Sequence, residues 1–316
     1  MSVLRSAGPK GDPVLQLNWG LLAISILVIV IIGALLVLAL SRQPQPRLAF
    51  DARGPLPVSR PAGGITWIYV GIGLTALTLL GSLVWSMVVL ANVAVPSGKG
   101  GLELQVIGHQ WWWQVNYIGD PISRRFTTAN EIHIPVGVPV RITLKSADVI
   151  HSFWVPALSG KTDLIPGQTN TTWIEAREAG TYRGQCGEYC GAQHAHMAFS
   201  VVADPPATFD AWWQAQLADS PPPTDDSAKA GKIAFVRRCG SCHTVRGTDA
   251  GGIYGPDLTH LTQRATIAAG VLPNTPGHRG AWIADPQGIK PGSQMPVLSL
   301  SGPEIAAIQA YLATLK

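Results

Sequence analysis

The chain has 316 residues, more than a single domain usually holds, so the sequence predicts two or three structural units. Hydrophobic residues make up 47% of the chain and charged residues only 13%, which favours a membrane component. The net charge of +4 is too small to indicate a nucleic-acid-binding protein, and we expect no such partner. Four cysteines in two close pairs are too few for a disulfide framework, and their spacings favour metal or haem attachment.

Two long runs without charged residues near the N-terminus predict a transmembrane hairpin. The first, Leu21–Leu40, is long enough as a helix to span about 30 Å of hydrocarbon. The second, Ile65–Ala91, carries Trp67 and Trp85 towards its ends as interfacial anchors. A cleaved signal peptide is the alternative for the first run, but the run exceeds the usual length of a signal core. The predicted helices cover about 19–41 and 65–92, within an N-terminal segment of residues 1–99.

The charges around these runs predict the orientation of the hairpin. The loop between them carries four arginines and one aspartate, net +3, whereas the N-terminal segment carries two basic residues and one acidic residue, net +1. Positively charged loops remain in the cytoplasm, so both termini and the soluble part are expected on the outer, periplasmic side of a prokaryotic plasma membrane. The loop arginines are Arg42, Arg47, Arg53 and Arg60.

Short alternating segments separated by glycine and proline follow the hairpin, which predicts a β-sandwich or barrel over residues 100–204. The predicted strands are Leu102–His109, Glu131–Pro135, Val140–Ser146, His151–Val155, Thr171–Glu175 and Phe199–Val202.

Helical patterns return after the predicted strands. Residues 205–228 are predicted to be a linker with one short amphipathic helix, Phe209–Leu217, and a stiff, proline-containing stretch after it. Residues 229–316 then form a separate predicted helical domain, whose last helix, Pro303–Leu315, is capped by Ser301 or Gly302.

Residues 186–197 concentrate side chains that bind soft metals. They include two thiols, an imidazole and a thioether, namely Cys186, Cys190, His194 and Met197. Thiolates and imidazole with a weak methionine ligand suit copper electron-transfer sites, and two cysteines indicate two copper ions bridged by both sulfurs. A second histidine must come from elsewhere, and His151 is the candidate. A structural zinc loop is the alternative, but zinc does not use methionine.

This CxxxCxxxHxxM pattern, with Asp148-Val-Ile-His151-Ser-Phe-Trp-Val-Pro156 upstream, resembles the dinuclear copper (CuA) domain of cytochrome c oxidase subunit II. The resemblance extends over Lys145–Met197 and implies a cupredoxin-like β-barrel. It also implies that both thiolates bridge the two coppers and that each ion takes one histidine and one weak ligand. These pairs are His151 with Met197, and His194 with the backbone carbonyl of Glu188.

The resemblance implies two further roles. The Glu188 carboxylate would reach a Mg or Mn ion shared with subunit I of the oxidase. The stretch Gly108-His-Gln-Trp111-Trp112-Trp113 is similar to the family's aromatic segment beside the copper, which makes Trp111 the entry point for electrons; the alternative is that the tryptophans only fill the barrel edge. One departure concerns residues 63–67, Gly-Gly-Ile-Thr-Trp, which lack the glutamate that many members have at the mouth of a proton channel.

The second cysteine pair, Cys239-Gly-Ser-Cys242-His243, is the attachment pattern of a covalent haem c. A redox-active CxxC pair is the alternative, but it requires neither the adjacent histidine nor a downstream methionine. Met295 is the only methionine after the copper motif, so it is the predicted sixth iron ligand. The tail resembles an all-α class I cytochrome c, in which the carbonyl of Pro256 would accept the Nδ1 proton of His243.

These resemblances imply a multidomain membrane protein that is the electron-entry subunit of a proton-pumping terminal oxidase. Electrons would pass from haem c to CuA and on to the haem-copper centre of subunit I, where oxygen is reduced to water. Expected partners are subunits I and III, and cytochrome c or an upstream quinol–cytochrome c reductase as donor. The alternative is a membrane-anchored electron-transfer protein that uses CuA and haem c outside an oxidase.

The two soluble segments carry opposite charge. Residues 102–204 contain seven basic and nine acidic residues, net −2, whereas residues 229–316 contain nine basic and four acidic residues, net +5. Opposite signs favour docking of the helical segment on the strand-rich segment. This charge pattern supports a haem-first order of electron transfer.

Overall fold

The structure, a computed structural model, describes residues 4–42, 64–95 and 101–316. It divides into two units, of which one is Pro13–Val95 and the other combines Met1–Asp12 with Pro96–Lys316. Three arginines on which the predicted orientation depends, at positions 47, 53 and 60, lie outside the described residues, as does Gly63.

The hairpin unit contains two helices, α1 (Gly11–Ser41) and α2 (Gly64–Ala94), and both are long and apolar enough to cross a membrane. The first helix was predicted to begin at about residue 19, but it begins eight residues earlier. Pro13 is tolerated in the first turn, where its missing N–H has no partner to lose, and Asp12 favours the positive end of the helix dipole. The uncharged run therefore marks the apolar part of the helix and not its start.

The strand-rich region, here called the β-domain (residues 101–217), contains two five-stranded sheets within its described residues. The first five strands are β1 (Leu102–His109), β2 (Trp112–Tyr117), β3 (Phe126–Ala129), β4 (Glu131–Pro135) and β5 (Val140–Ser146). The next five are β6 (His151–Trp154), β7 (Thr162–Leu164), β8 (Asn170–Ile174), β9 (Gly180–Cys186) and β10 (Ala198–Asp204). The sheet orders are β3-β2-β1-β5-β8 and β4-β10-β9-β6-β7, and the inner faces share one apolar core, as in a cupredoxin-like barrel.

Strands β1, β4 and β5 have the predicted bounds, but the prediction missed β2, β3, β7 and β9. In β2 every second residue, Trp113, Val115 and Tyr117, is fully buried, so this aromatic run is an alternating strand. Strand β9 contains Gly180 and Gly184, which by composition favour a turn. Its position is fixed by pairing with β6 and β10.

The helix predicted within the linker belongs to the β-domain core. Helix α3 (Pro206–Leu217) buries Phe209 and Trp213 in that core. Its Trp212 ring stacks on His133 with 4.2 Å between ring centroids. Aromatic packing therefore fixes α3 on the β-domain, and only the chain after it connects to the next region.

The C-terminal region, here called the helical domain (residues 226–316), is built around α4 and α7. Its elements are α4 (Asp226–Arg238), β11 (Thr266–Ile267), β12 (Leu272–Pro273), α5 (Pro276–Ala284), α6 (Pro286–Ile289) and α7 (Gly302–Leu312). The side chains of Ser301 and Glu304 form a capping box at the start of α7. Helices α4 and α7 are in close contact, with 5.5 Å between the rings of Phe235 and Tyr311.

The close approach of α4 and α7 gives a matched pair of variants. A Cβ atom at Gly231 would lie 1.9 Å from the carbonyl oxygen of Ala307, whereas one at Gly277 in α5 would meet no atom within 4 Å. We expect Gly231→Ala to destabilise the helical domain by about 1–3 kcal/mol through overpacking. Gly277→Ala should stabilise it by up to about 1 kcal/mol. Thermal unfolding of the full-length chain, followed by haem absorbance, checks both values, and equal midpoints would contradict this packing.

Candidate copper and haem sites

The predicted copper ligands converge on one buried cluster in the β-domain. The sulfur atoms of Cys186 and Cys190 lie 3.7 Å apart, and the Nδ1 atom of His151 lies 3.9 Å from Cys186 Sγ. On the other side, Cys190 Sγ lies 3.6 Å from His194 Nδ1 and 3.8 Å from Met197 Sδ. These separations between donor atoms leave room for metal ions among them, and the soft donor set suits copper.

Two strands and one loop position these side chains. His151 begins β6 and Cys186 ends β9, and the two strands pair directly. Residues 186–197, here called the copper-ligand loop, then turn through Gly191, whose φ angle of +113° favours glycine. The loop returns the remaining donors to the same place, with the backbone carbonyl of Glu188 at 3.2 Å from Cys186 Sγ.

The cysteine pair is arranged so that one thiol loses its proton easily. The contact with Cys190 and the hydrogen bond with His151 lower the pKa of Cys186 to about 3, whereas the same contact with Cys186 raises the pKa of Cys190. Two thiolates at this distance repel each other unless a cation lies between them. The second deprotonation is therefore coupled to the binding of metal.

Asp148 orients the His151 ring, a role that the sequence analysis missed. Its carboxylate lies 2.8 Å from His151 Nε2 and also accepts the Gln110 backbone N–H at 2.7 Å. Burial would lower the pKa of His151, but the hydrogen bonds with Asp148 and Cys186 outweigh it and raise that pKa. With Nε2 bonded to the carboxylate, Nδ1 faces Cys186 as the predicted ligand atom. The short spacing between Asp148 and His151 is the sequence feature that could have indicated this hydrogen bond.

The Glu188 carboxylate pairs with Lys161. It lies 2.6 Å from Lys161 Nζ, and this hydrogen bond raises the pKa of Lys161. Both side chains are more than two-fifths exposed. The predicted Mg or Mn site at Glu188 stays a prediction, since Lys161 competes for the carboxylate.

Trp111 is tied to the copper-ligand loop. Its indole N–H donates to the carbonyl oxygen of Cys190 at 2.9 Å, and Gln110 Nε2 donates to the same oxygen at 2.8 Å. The side chain is 8% exposed. Trp113 packs edge-on against His151 in the core, so the neighbouring tryptophans do have a packing role.

The predicted haem residues surround a cavity of about 320 Å³. Its lining includes both cysteines of the attachment motif, the proximal histidine and the predicted sixth ligand: Cys239, Cys242, His243 and Met295. Trp111 and Trp112 of the β-domain line the same cavity. The volume lies in the range of cofactor pockets, and two thiols with an imidazole and a thioether on its walls fit a covalently bound haem.

His243, the predicted proximal ligand, is held in one tautomer. Its Nδ1 atom lies 2.8 Å from the carbonyl oxygen of Pro256, which leaves Nε2 available to the predicted haem iron. Burial lowers the pKa of His243 and favours the neutral ring. Gly255 allows this arrangement, because a Cβ atom there would lie 2.6 Å from the imidazole.

Several hydrogen bonds join the β-domain and the helical domain. The backbone N–H of Ala265 donates to Glu131 Oε2 at 3.0 Å, and Arg264 donates to Thr128 at 3.2 Å. Burial would raise the pKa of Glu131, but the hydrogen bonds from His133 and Ala265 outweigh it and lower that pKa. Ser220, in the predicted linker, bonds the carbonyl oxygen of Arg246, so the linker is also held on the helical domain.

Lys290 crosses the same interface. Its ammonium group donates to the carbonyl oxygens of Trp111 at 2.7 Å, His196 at 2.8 Å and Ala268 at 3.0 Å. Burial lowers the pKa of this lysine to about 7. No sequence pattern singled it out, because its partners in the β-domain lie far away along the chain.

The role of Asp148 is open to a direct test. We expect Asp148→Asn to retain all the predicted ligands but to weaken copper binding about 10–100-fold, since the amide orients the His151 ring less firmly. Competition with a chelator measures the affinity. Asp210→Asn, an exposed change on α3, is the control. Equal copper affinity in both variants would show that Asp148 does not support the ligand set.

The sixth haem ligand is tested by Met295→Lys. An amine binds ferric iron more strongly than a thioether, so the haem should stay attached while its potential falls by a few tenths of a volt, part of the roughly 0.8 V range that axial ligands cover. Gln294→Lys adds the same charge beside the ligand without replacing it. Redox titration compares the two, and an equal potential in both would point to another sixth ligand.

Comparison with protein families agrees with this division of the chain. Residues 118–204 match the family described as cytochrome c oxidase subunit II, periplasmic domain, and residues 228–316 match the cytochrome c family. With the two apolar helices, the first match indicates a membrane-anchored chain whose soluble part lies outside. The second match, together with the cavity, indicates haem c.

Individual relatives show the same similarity. Cytochrome c oxidase subunit 2 of Alkalihalophilus pseudofirmus is 38% identical over 80% of this chain and 72% of its own length. That of Bacillus subtilis is 30% identical over 80% of this chain and 74% of its own length. A solved periplasmic domain of subunit II from Bradyrhizobium japonicum is 32% identical, covers 38% of this chain and 96% of that one, and superposes with a TM-score of 0.36. This chain belongs to the cytochrome c oxidase subunit II family and carries a cytochrome c domain after its β-domain.

Proposed function

We propose that this chain is the electron-entry subunit of a proton-pumping terminal oxidase. Electrons enter the helical domain and cross to the copper site of the β-domain. From there they continue to the haem-copper centre of subunit I, where oxygen becomes water. Haem c and CuA supply one-electron redox chemistry when bound. The residues of this chain would hold both groups, fix the protonation of the ligand side chains and bring the two sites together.

The shared cavity is the observation that carries this proposal. The residues predicted to hold haem c and the Trp111 side chain line one cavity, and the Trp111 indole bonds directly to the carbonyl of Cys190. A short covalent and hydrogen-bonded path therefore leads from the cavity wall to a predicted bridging thiolate. Separate electron carriers that exchange partners would not need to share a wall.

The burial of Trp111 supports the haem-first order. At 8% exposure its ring offers little surface to a soluble donor. The loop that carries Met295 lies close to it, because a Cβ atom at Gly292 would be 3.6 Å from the indole. The helical domain occupies the approach to Trp111, so a donor such as cytochrome c or a quinol–cytochrome c reductase would deliver its electron to the helical domain first.

The assignment of partners follows from family membership. Subunit II of cytochrome c oxidase works with other oxidase subunits, and we propose subunits I and III as partners of this chain. The proposed copper ligands are His151, Cys186, Cys190, His194, Met197 and the Glu188 carbonyl. The Glu188 carboxylate is the proposed ligand of a Mg or Mn ion shared with subunit I.

Packing of the N-terminal segment supports a periplasmic N-terminus. Ala7 exchanges backbone hydrogen bonds with the β-domain, donating to Ala157 at 2.7 Å and accepting from Arg177 at 3.0 Å. The Arg177 guanidinium also pairs with Asp12 at 2.6 Å. The segment that leads into α1 therefore lies on the β-domain, which supports placing both on the same side of the membrane.

The order of electron transfer can be tested in the intact oxidase. Deleting Lys229–Lys316 should leave the copper site intact but slow turnover with the native donor about tenfold or more, since linking two partners raises their effective concentration by roughly 10²–10⁴. Stopped-flow reduction of the full-length protein, followed at separate haem and copper wavelengths, should show haem reduced before copper. Copper reduced at full rate while haem stays oxidised would refute the proposal.

A further inference from the structure

Lys290 is buried at the boundary between the two domains. Only 3% of it is exposed, and its ammonium nitrogen has three carbonyl acceptors, at 2.7, 2.8 and 3.0 Å. Lysine is almost never buried to this extent unless all its hydrogen bonds are made. Its partners are backbone carbonyls and not carboxylates, so the side chain fixes the positions of three backbone segments.

The three acceptors lie on the segments that surround the proposed electron path. The Trp111 indole donates a hydrogen bond to the carbonyl of Cys190, and His196 lies between two predicted copper ligands in the copper-ligand loop. Ala268 belongs to the connection between β11 and β12 of the helical domain. Lys290 itself begins residues 290–296, here called the methionine loop, which ends just after Met295.

The segment around Ala268 is held in an unfavourable conformation. Ala268, Ala269 and Gly270 have φ angles of +54°, +60° and +79°, and the left-handed region is costly for the two alanines. The surroundings must impose this conformation. Lys290 bonds the Ala268 carbonyl, and the carbonyl of Ala269 accepts the backbone N–H of Ala198 in the β-domain.

A second contact joins the same two loops. The side-chain amide of Gln193, in the copper-ligand loop, donates to the carbonyl oxygen of Pro291 at 2.8 Å. The methionine loop is thus bonded to the copper-ligand loop at two consecutive residues. Only Lys290, however, also reaches the Trp111 backbone.

We propose that Lys290 is a positioning residue for electron transfer: it holds the methionine loop against Trp111 and the copper-ligand loop, and so sets the rate at which electrons cross between the domains. This inference rests on the proposed function, because it concerns the step between haem c and CuA. It adds a specific device that keeps the two domains docked.

The test uses Lys290→Leu in the intact oxidase, with Lys229→Leu as control. The Lys229 side chain is exposed, and among the described residues it pairs with Asp226 of its own helix. After rapid reduction of the haem, the variant should pass the electron to copper about tenfold more slowly, because three carbonyls lose a charged donor and the docked arrangement is weakened. Reduction of the haem by an external reductant, the signal of the methionine–iron bond and the copper resonance should match those of the control.

Comparing the rate of transfer to copper with the rate of haem reduction and the spectroscopic signals distinguishes a positioning role of Lys290 from a role in folding. A lysine that only stabilised the helical domain would alter the haem signals as well as the transfer step. The slowed step should also become sensitive to ionic strength, since docking would then depend on the opposite charges of the two domains, which salt screens. Transfer at the control rate with both centres intact would overturn the inference.

Lys290→Arg covers the case in which Lys290→Leu loses its haem. Arginine keeps the charge, but its planar group cannot direct three protons from one nitrogen atom at converging carbonyls, so transfer should again be slower. A rate equal to the control would overturn the inference. If copper in the unsubstituted protein were reduced before haem, the proposed function would fail first, whatever the variants showed.

Discussion

The wall shared by the haem-binding cavity and the β-domain is the constraint on which the rest of the soluble structure depends. Trp111 contributes to that wall and bonds to the copper-ligand loop, so the positions of two predicted redox centres are linked through one side chain. The sheets position the copper ligands, because the pairing of β6 with β9 brings His151 and Cys186 together in the β-domain. The helical domain must then dock with its cavity facing these ligands.

Buried polar groups determine how the domains dock. An apolar interface of the same size would tolerate sliding, whereas a buried ammonium or carboxylate is stable only where its hydrogen bonds are complete. Lys290 and Glu131 each reach across the interface to backbone atoms of the other domain. Rotation of the helical domain would leave these groups unpaired, so they specify one orientation. The opposite net charges act at longer range and favour the encounter.

The sequence predicted the chemistry better than the arrangement. The compact motifs at residues 186–197 and 239–243 indicated copper and haem, because the ligand types and spacings leave few alternatives. Strands such as β1 followed from alternation, but β9 was missed, since Gly180 and Gly184 conceal a strand that pairing with its neighbours fixes. Lys290 was also missed, because its contact with Trp111 joins residues 179 positions apart and no local pattern encodes it.

Haem c and CuA are proposed to lie next to each other in the docked, resting protein. Electron spin relaxation of the mixed-valence copper site measures this directly in the full-length chain, because a nearby paramagnetic iron accelerates it. Docked centres should give fast copper relaxation when the haem is ferric. Relaxation should be slower after one electron per chain has been added, because the chains that still show mixed-valence copper then carry diamagnetic ferrous haem. Copper relaxation that is the same in both haem states would contradict this docking.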